Sequence, residues 1–131
     1  MKNIYRLIDA NFNRASEGLR VCEDISRFIL NNKKISGKLK ESRHCLCLAK
    51  SFFSYEQLLE ARDVKGDVGR KIDDKTKKNW KEILMANFGR IKESLRSLEE
   101  FSQFLAPQSF KQIQEIRFKI YEIEKEILKK I

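Results

Sequence analysis

Asparagine, arginine and glutamate recur together in this chain at one fixed spacing, and the spacing occurs twice. Ala10-Asn11-Phe12-Asn13-Arg14-Ala15-Ser16-Glu17-Gly18-Leu19-Arg20 is answered 76 positions later by Ala86-Asn87-Phe88-Gly89-Arg90-Ile91-Lys92-Glu93-Ser94-Leu95-Arg96. Both copies read Ala-Asn-Phe-x-Arg-x-x-Glu-x-Leu-Arg-x-x-Glu-(Asp/Glu), and the match runs on to Phe28 and Phe104. Self-similarity at a fixed offset signals one structural unit used twice. Arg14, Arg90 and the later Arg117 can each grip a phosphate or carboxylate in a two-pronged contact. Glu17, Glu93, Glu99 and Glu124 could bind Mg²⁺ or balance those arginines.

A second chemical cluster is Ala61-Arg62-Asp63-Val64-Lys65-Gly66-Asp67-Val68-Gly69-Arg70-Lys71. Glycine lets backbone N–H groups turn toward an anion, arginine supplies charge, and aspartate can reach a metal ion. The same residues also suit a connector between two helical hairpins, and the spacing does not choose between the two uses.

These groups need helices to position them. At ~100° per residue, Phe12, Ala15, Leu19, Cys22, Ile25 and Ile29 form one apolar face, and Phe88, Ile91, Leu95, Leu98, Phe101 and Leu105 form its twin. Asn11, Arg14 and Gly18 fall inside the first face, and Asn87, Arg90 and Ser94 inside the second, while Arg20, Glu23 and Arg27 point away. An arginine on a buried face is costly unless something anionic meets it. Making that choice twice is the clearest functional signal in the chain.

The spacing predicts a helix from about Ala10 to Leu30 with Asp9 as its N-cap, and a second over Gly37–Leu59 capped by Ser36, with Leu39, Leu46 and Phe53 inward. A third should start near Asp73 or Asp74, carry Trp80 on its first turns and reach Leu105. A fourth spans Gln108–Lys130 with Ile113, Ile116, Ile120, Ile123 and Ile127 on one face, Pro107 standing at its start. Arg117 stands to the second motif as Arg43 stands to the first. The expectation is one all-α domain over residues 1–131: an antiparallel four-helix bundle of two similar hairpins, residues 10–59 and 74–130, joined by a Gly/Asp/Arg loop over 60–73.

Composition agrees. Forty-one per cent of residues are hydrophobic and 36% charged, with 5 Gly and 1 Pro, too few breakers for a many-stranded sheet. No run approaches the roughly 18 apolar residues of a membrane span, and Met1–Arg6 does not read as a signal peptide. Cys22, Cys45 and Cys47 lack metal-ligand spacing and read as buried, reduced thiols of a cytoplasmic protein. The net charge of +9 admits nucleic acid, anionic lipid or a phosphorylated small molecule. Nucleic acid is disfavoured because the aromatics lie on apolar faces, and no membrane partner is expected. His44, the one histidine, falls toward the polar side of its helix.

Phosphate-loop, dinucleotide and His/Cys metal motifs are missing from the sequence. Arginine, asparagine and glutamate inside a bundle suffice for phosphoryl transfer, which asks mainly for positioning and charge stabilisation. Three other readings remain open: an Arg–Glu network that only fixes helix register, a small helical enzyme of the chorismate-mutase kind acting on a dianion, and a non-catalytic helper.

Five features come in family order: the first motif, Arg43-His44, the Arg62–Gly69 loop, the second motif, and Arg117-x-x-x-Tyr121-x-x-Glu124. Together they resemble the small all-helical hydroxymethylpyrimidine phosphate kinase family, which occurs alone or fused in front of thiamine phosphate synthase. The resemblance implies ATP-dependent phosphorylation of hydroxymethylpyrimidine phosphate to the diphosphate, with ATP and Mg²⁺. It carries over Asn11, Arg14, Glu17, Arg20, Arg43, Arg62, Asp63, Asp67, Asn87, Arg90, Glu93 and Arg117. On that basis Arg14, Arg90, Asp63 and Asp67 are the catalytic candidates, with Asp63 or Asp67 as Mg²⁺ ligand. Arg62, Gly66 and Gly69 would close over the ATP phosphates. Asn11, Glu17, Arg20, Arg43, Asn87, Glu93 and Arg117 would bind the phosphorylated pyrimidine, Asn11 or Asn87 reading its ring edge. Expected partners are these small molecules, thiamine phosphate synthase, and a second copy of the chain in a homodimer.

Overall fold

The computed structural model of the protein describes residues 1–71 and 75–131. Among them every regular element is helical: α1 (Lys2–Asp24), α2 (Lys33–Lys50), α3 (Tyr55–Ala61), α4 (Trp80–Leu105) and α5 (Pro107–Leu128). The four long helices form an antiparallel bundle in which α1 packs on α2 and α4, and α5 packs on α4 and α2.

The predicted apolar faces are the core, except that Ile29 of the first is exposed at its end in the π segment and Phe101 and Leu105 of the second are half-buried. Phe12, Leu19, Leu39, Leu46, Phe88, Ile91, Leu95 and Leu98 are each 1% exposed or less, and the five isoleucines of α5 are all buried. Gly18 sets the closest approach of α1 to α4: a Cβ there would stand 2.8 Å from Ile91 Cγ1 and 3.3 Å from the Asn87 carbonyl oxygen. Cys22 Sγ, one turn on, lies 3.9 Å from the Leu84 carbonyl oxygen, so the two motif helices run antiparallel.

Several helix limits differ from the expected ones. Helix α1 begins at Lys2, and Asp9 is not a cap but a buried residue on its second turn. The helix widens into a π segment at Ile25–Ile29, where Leu30 N–H donates to the Ile25 carbonyl. Asn31, at φ 50°, then turns the chain in the left-handed region that asparagine tolerates.

Asn32, not Ser36, caps α2, its side chain accepting from Ile35 N–H at 3.0 Å. The single helix expected to Leu59 is two, because the chain turns after Lys50 and Ser54 caps a new helix. The expected start of the third helix at Asp73 or Asp74 lies outside the described residues. Residues 75–78 are not helical, and α4 starts at Trp80 because the Asn79 side chain accepts from Glu82 N–H.

The repeat survives in three dimensions. Arg43 donates to Glu23 at 3.2 Å between α1 and α2, and Arg117 donates to Glu99 between α4 and α5. Glu23 was expected to face outward, yet it is 6% exposed, because its partner comes from the next helix rather than from solvent.

Candidate functional site

Helix α3 buries Leu58 and Ala61 against α1, which delivers the following residue, Arg62, above Asp9. The Arg62 guanidinium grips the Asp9 carboxylate with both prongs, Nε to Oδ2 at 2.8 Å and Nη2 to Oδ1 at 2.9 Å. Asp9 is 3% exposed, so the pair repays the burial of its charge only through this two-pronged geometry. Hydrogen bonding and attraction from Asp9 raise the Arg62 pKa above its ordinary value.

From Arg62 the loop folds over the outer face of α1. Arg6 Nη2 donates to the Asp63 carbonyl oxygen at 2.8 Å. Two aspartates build successive tight turns: Gly66 N–H donates to Asp63 Oδ1 at 2.8 Å and Gly69 N–H to Asp67 Oδ1 at 2.9 Å. Between loop and helix lies a pocket of about 450 Å³. Its walls include Asn11, Asn13 and Arg14 from the helix, and Arg62, Asp63 and Asp67 from the loop.

The pocket therefore joins the first motif to the Gly/Asp/Arg loop. Asn11 is buried, its Nδ2 donating to the Leu7 carbonyl at 2.9 Å and its Oδ1 accepting from Arg14 Nη1 at 3.4 Å. Arg14 corrects the sequence reading: it is exposed at the edge of the helix face rather than buried within it, and so is Arg90. Neither arginine meets the desolvation cost that the helical wheel implied.

The other candidates lie elsewhere. Arg20 and Arg43 line a separate groove between α1 and α2, with Glu23 between them. Asn87 repeats the geometry of Asn11, donating to the Ile83 carbonyl at 2.8 Å. Glu17 and Glu93 are exposed, and Arg117 is held by Glu99. Donation of hydrogen bonds to the Glu99 carboxylate raises the Arg117 pKa, with a further contribution from Tyr121.

Arg6, Asp9 and Asn13 belong to the pocket, whereas the sequence reading gives Arg6 and Asn13 no site role and Asp9 only that of a cap. Their spacing of three and four residues puts them on one helix face, a pattern hidden by starting the helix at Ala10. Among the described residues no three of His, Cys, Asp and Glu gather around a common point to hold a metal ion. Asp63 and Asp67 instead each spend Oδ1 on a backbone N–H. Mg²⁺ is commonly held by one or two carboxylates together with substrate phosphates, and two aspartates among arginines fit that mode.

The profile described as the ThiD2 family matches residues 6–126. The chain is 37% identical over 128 residues to a protein named thiamine-phosphate synthase from Nostoc punctiforme, covering 95% of this chain and 35% of that one. It is 41% identical over 131 residues to the protein of the same name from Prochlorococcus marinus (strain SARG), covering 98% of this chain and 37% of that one. The chain thus spans about a third of the length of these relatives. No solved structure matches it. No helix among the described residues is long and apolar enough to cross a membrane.

Proposed function

The chain belongs to the ThiD2 family, and from that premise we propose that it phosphorylates hydroxymethylpyrimidine phosphate to the diphosphate at the expense of ATP, in thiamine biosynthesis. The relatives named thiamine-phosphate synthase support the thiamine context. The observation that carries the phosphoryl-transfer reading is the pocket where Arg14, Arg62, Asp63 and Asp67 meet under a glycine-bearing loop.

In this reading Arg14, exposed at the pocket wall, takes the charge of the transferred phosphoryl group. Arg62, fixed by Asp9, shapes the floor on which phosphates lie. Asn11 and Asn13 offer amides to the pyrimidine edge. Asp63 and Asp67 keep their Oδ2 atoms as acceptors toward Mg²⁺, which when bound neutralises charge on the phosphates. The turns at Gly66 and Gly69 hold both carboxylates at fixed height above α1. Positioning and electrostatics are what such a transfer needs from protein.

The test follows ³¹P resonances of purified protein with hydroxymethylpyrimidine phosphate, ATP and Mg²⁺. A new diphosphate signal that grows with ADP supports the kinase. No turnover, with ATP also failing to raise the unfolding temperature, leaves a non-catalytic domain that accompanies a synthase.

A further inference from the structure

A groove of about 570 Å³ lies between the C-terminal half of α1 and the N-terminal half of α2. Arg20, Arg27, Lys33, Lys40 and Arg43 line it, with the buried Glu23 as the one acid. Glu23 is engaged by Arg43 at 3.2 Å and by Arg20 at 3.4 Å. Among the described residues Lys33 and Lys40 make no ion pair, and the Arg27 guanidinium rests over the neighbouring Phe28 ring. Lys33 and Lys34 also occupy the first turn of α2, which has no acidic residue. Cations there oppose the positive end of the helix dipole.

The second half of the molecule supplies an internal control. Glu99, Arg96 and Arg117 repeat Glu23, Arg20 and Arg43, and the Glu–Arg bond between helices is made again. Three surrounding cations are not repeated: Gln103 stands for Arg27 and, at the 74-residue offset that pairs Arg43 with Arg117, Pro107 for Lys33 and Gln114 for Lys40, with Lys111 at the place of Gly37. The inter-helix pair therefore belongs to the fold, while the extra charges serve no packing need that the twin hairpin shares. They raise the local potential without an internal acid to answer it.

We propose that the α1/α2 groove is a binding site for a compact oligophosphate anion. Five cations against one carboxylate call for several negative charges in a small volume, which linked phosphates provide. No aromatic side chain lines the groove to stack a base, which disfavours single-stranded nucleic acid. The groove and the loop pocket share no lining residue: along helix α1 and its π extension Arg20 lies 6 and Arg27 13 residues beyond Arg14, about 9 Å and about 20 Å away.

Calorimetric titration with inorganic tripolyphosphate tests this on the wild type, Arg14→Ala, Arg27→Gln/Lys40→Gln and Arg27→Lys/Lys40→Arg. The Gln pair copies the twin hairpin and so should fold, with an unfolding temperature in the absence of anion equal to or above wild type. Binding is expected in the wild type, in Arg14→Ala and in the charge-keeping pair, and to weaken about tenfold or more in the Gln pair. Binding that is absent from the wild type, unchanged in the Gln pair, or lost in Arg14→Ala alone overturns the proposal. So does displacement of tripolyphosphate by a single-stranded oligonucleotide at equal phosphate concentration.

Discussion

Arg117 of α5 closes on Glu99 of α4 with two hydrogen bonds, from Nε to Oε2 and, at 3.2 Å, from Nη2 to Oε1, and Glu99 is only 3% exposed. In the first hairpin Glu23, 76 positions before Glu99, meets Arg43, 74 positions before Arg117, in the same relation, but with Arg43 more open: its side chain is 24% exposed against 12% for Arg117. Removing Glu99 leaves a partly buried guanidinium without its carboxylate. Glu99→Ala should therefore cost about 3 kcal/mol or more in urea unfolding. Glu23→Ala should cost less, because water reaches Arg43. A loss near zero for Glu99→Ala would show that this pair does not lock its hairpin, and equal losses would show that the exposure of Arg43 does not weaken the first pair.

Gly18 is tested by adding one carbon. Gly18→Ala places a Cβ 2.8 Å from Ile91 Cγ1, so α1 and α4 must separate or Ile91 must leave its rotamer. The expected cost is about 1–3 kcal/mol, measured by chemical unfolding. Gly37→Ala is the companion control, since nothing lies within 4 Å of its added Cβ; it should be neutral or stabilising.

Much of this framework was legible in the sequence for a simple reason. Periodic apolar residues such as Ile113, Ile116, Ile120, Ile123 and Ile127 report their face directly, and the 76-residue offset revealed the duplicated hairpin. The first turns of α1 were hidden because Ile8 is their one fully buried side chain, so the stripe is too thin to read. Glu23 and Asp9 were misread because each is neutralised by an arginine from another element, Arg43 and Arg62, 20 and 53 positions away. Charge pairing over such separations leaves no periodic trace. The pocket's two halves, Asn11–Arg14 and Arg62–Asp67, were each legible; their meeting depends on α3, which the sequence reading had merged into α2.

The Cys22 thiol offers a pH test. Burial, with a smaller contribution from Glu124, pushes its pKa from 9.0 to about 12. The unfolded chain releases this proton near pH 9 and the folded chain does not. The neutral buried thiol thus adds stability that is fully present below pH 9 and lost as pH rises toward 12. Melting curves between pH 9 and 12 should fall more steeply for wild type than for Cys22→Ala. With iodoacetamide at pH 9, exposed Cys47 should react first and Cys22 only on unfolding.

The loop turn is open to a local test. A Cβ on Gly66 would collide with the Asp63 carboxylate that caps its own N–H. Gly66→Ala should displace Asp63 and lower turnover about tenfold or more, the scale of misplacing a positioning group. The urea midpoint should stay unchanged, since residues 62–70 are exposed. Wild-type turnover in Gly66→Ala would show that the Asp63 turn does not position the chemistry.

The most direct measurement is a coupled assay. The protein is given hydroxymethylpyrimidine phosphate, ATP and Mg²⁺, with thiazole phosphate and an independent thiamine phosphate synthase to trap the diphosphate. The account predicts thiamine phosphate that depends on ATP and disappears in Arg14→Ala and Asp67→Ala, both variants keeping the cooperative melt of wild type. Product formation by those two variants at the wild-type rate would contradict the loop pocket as the catalytic site.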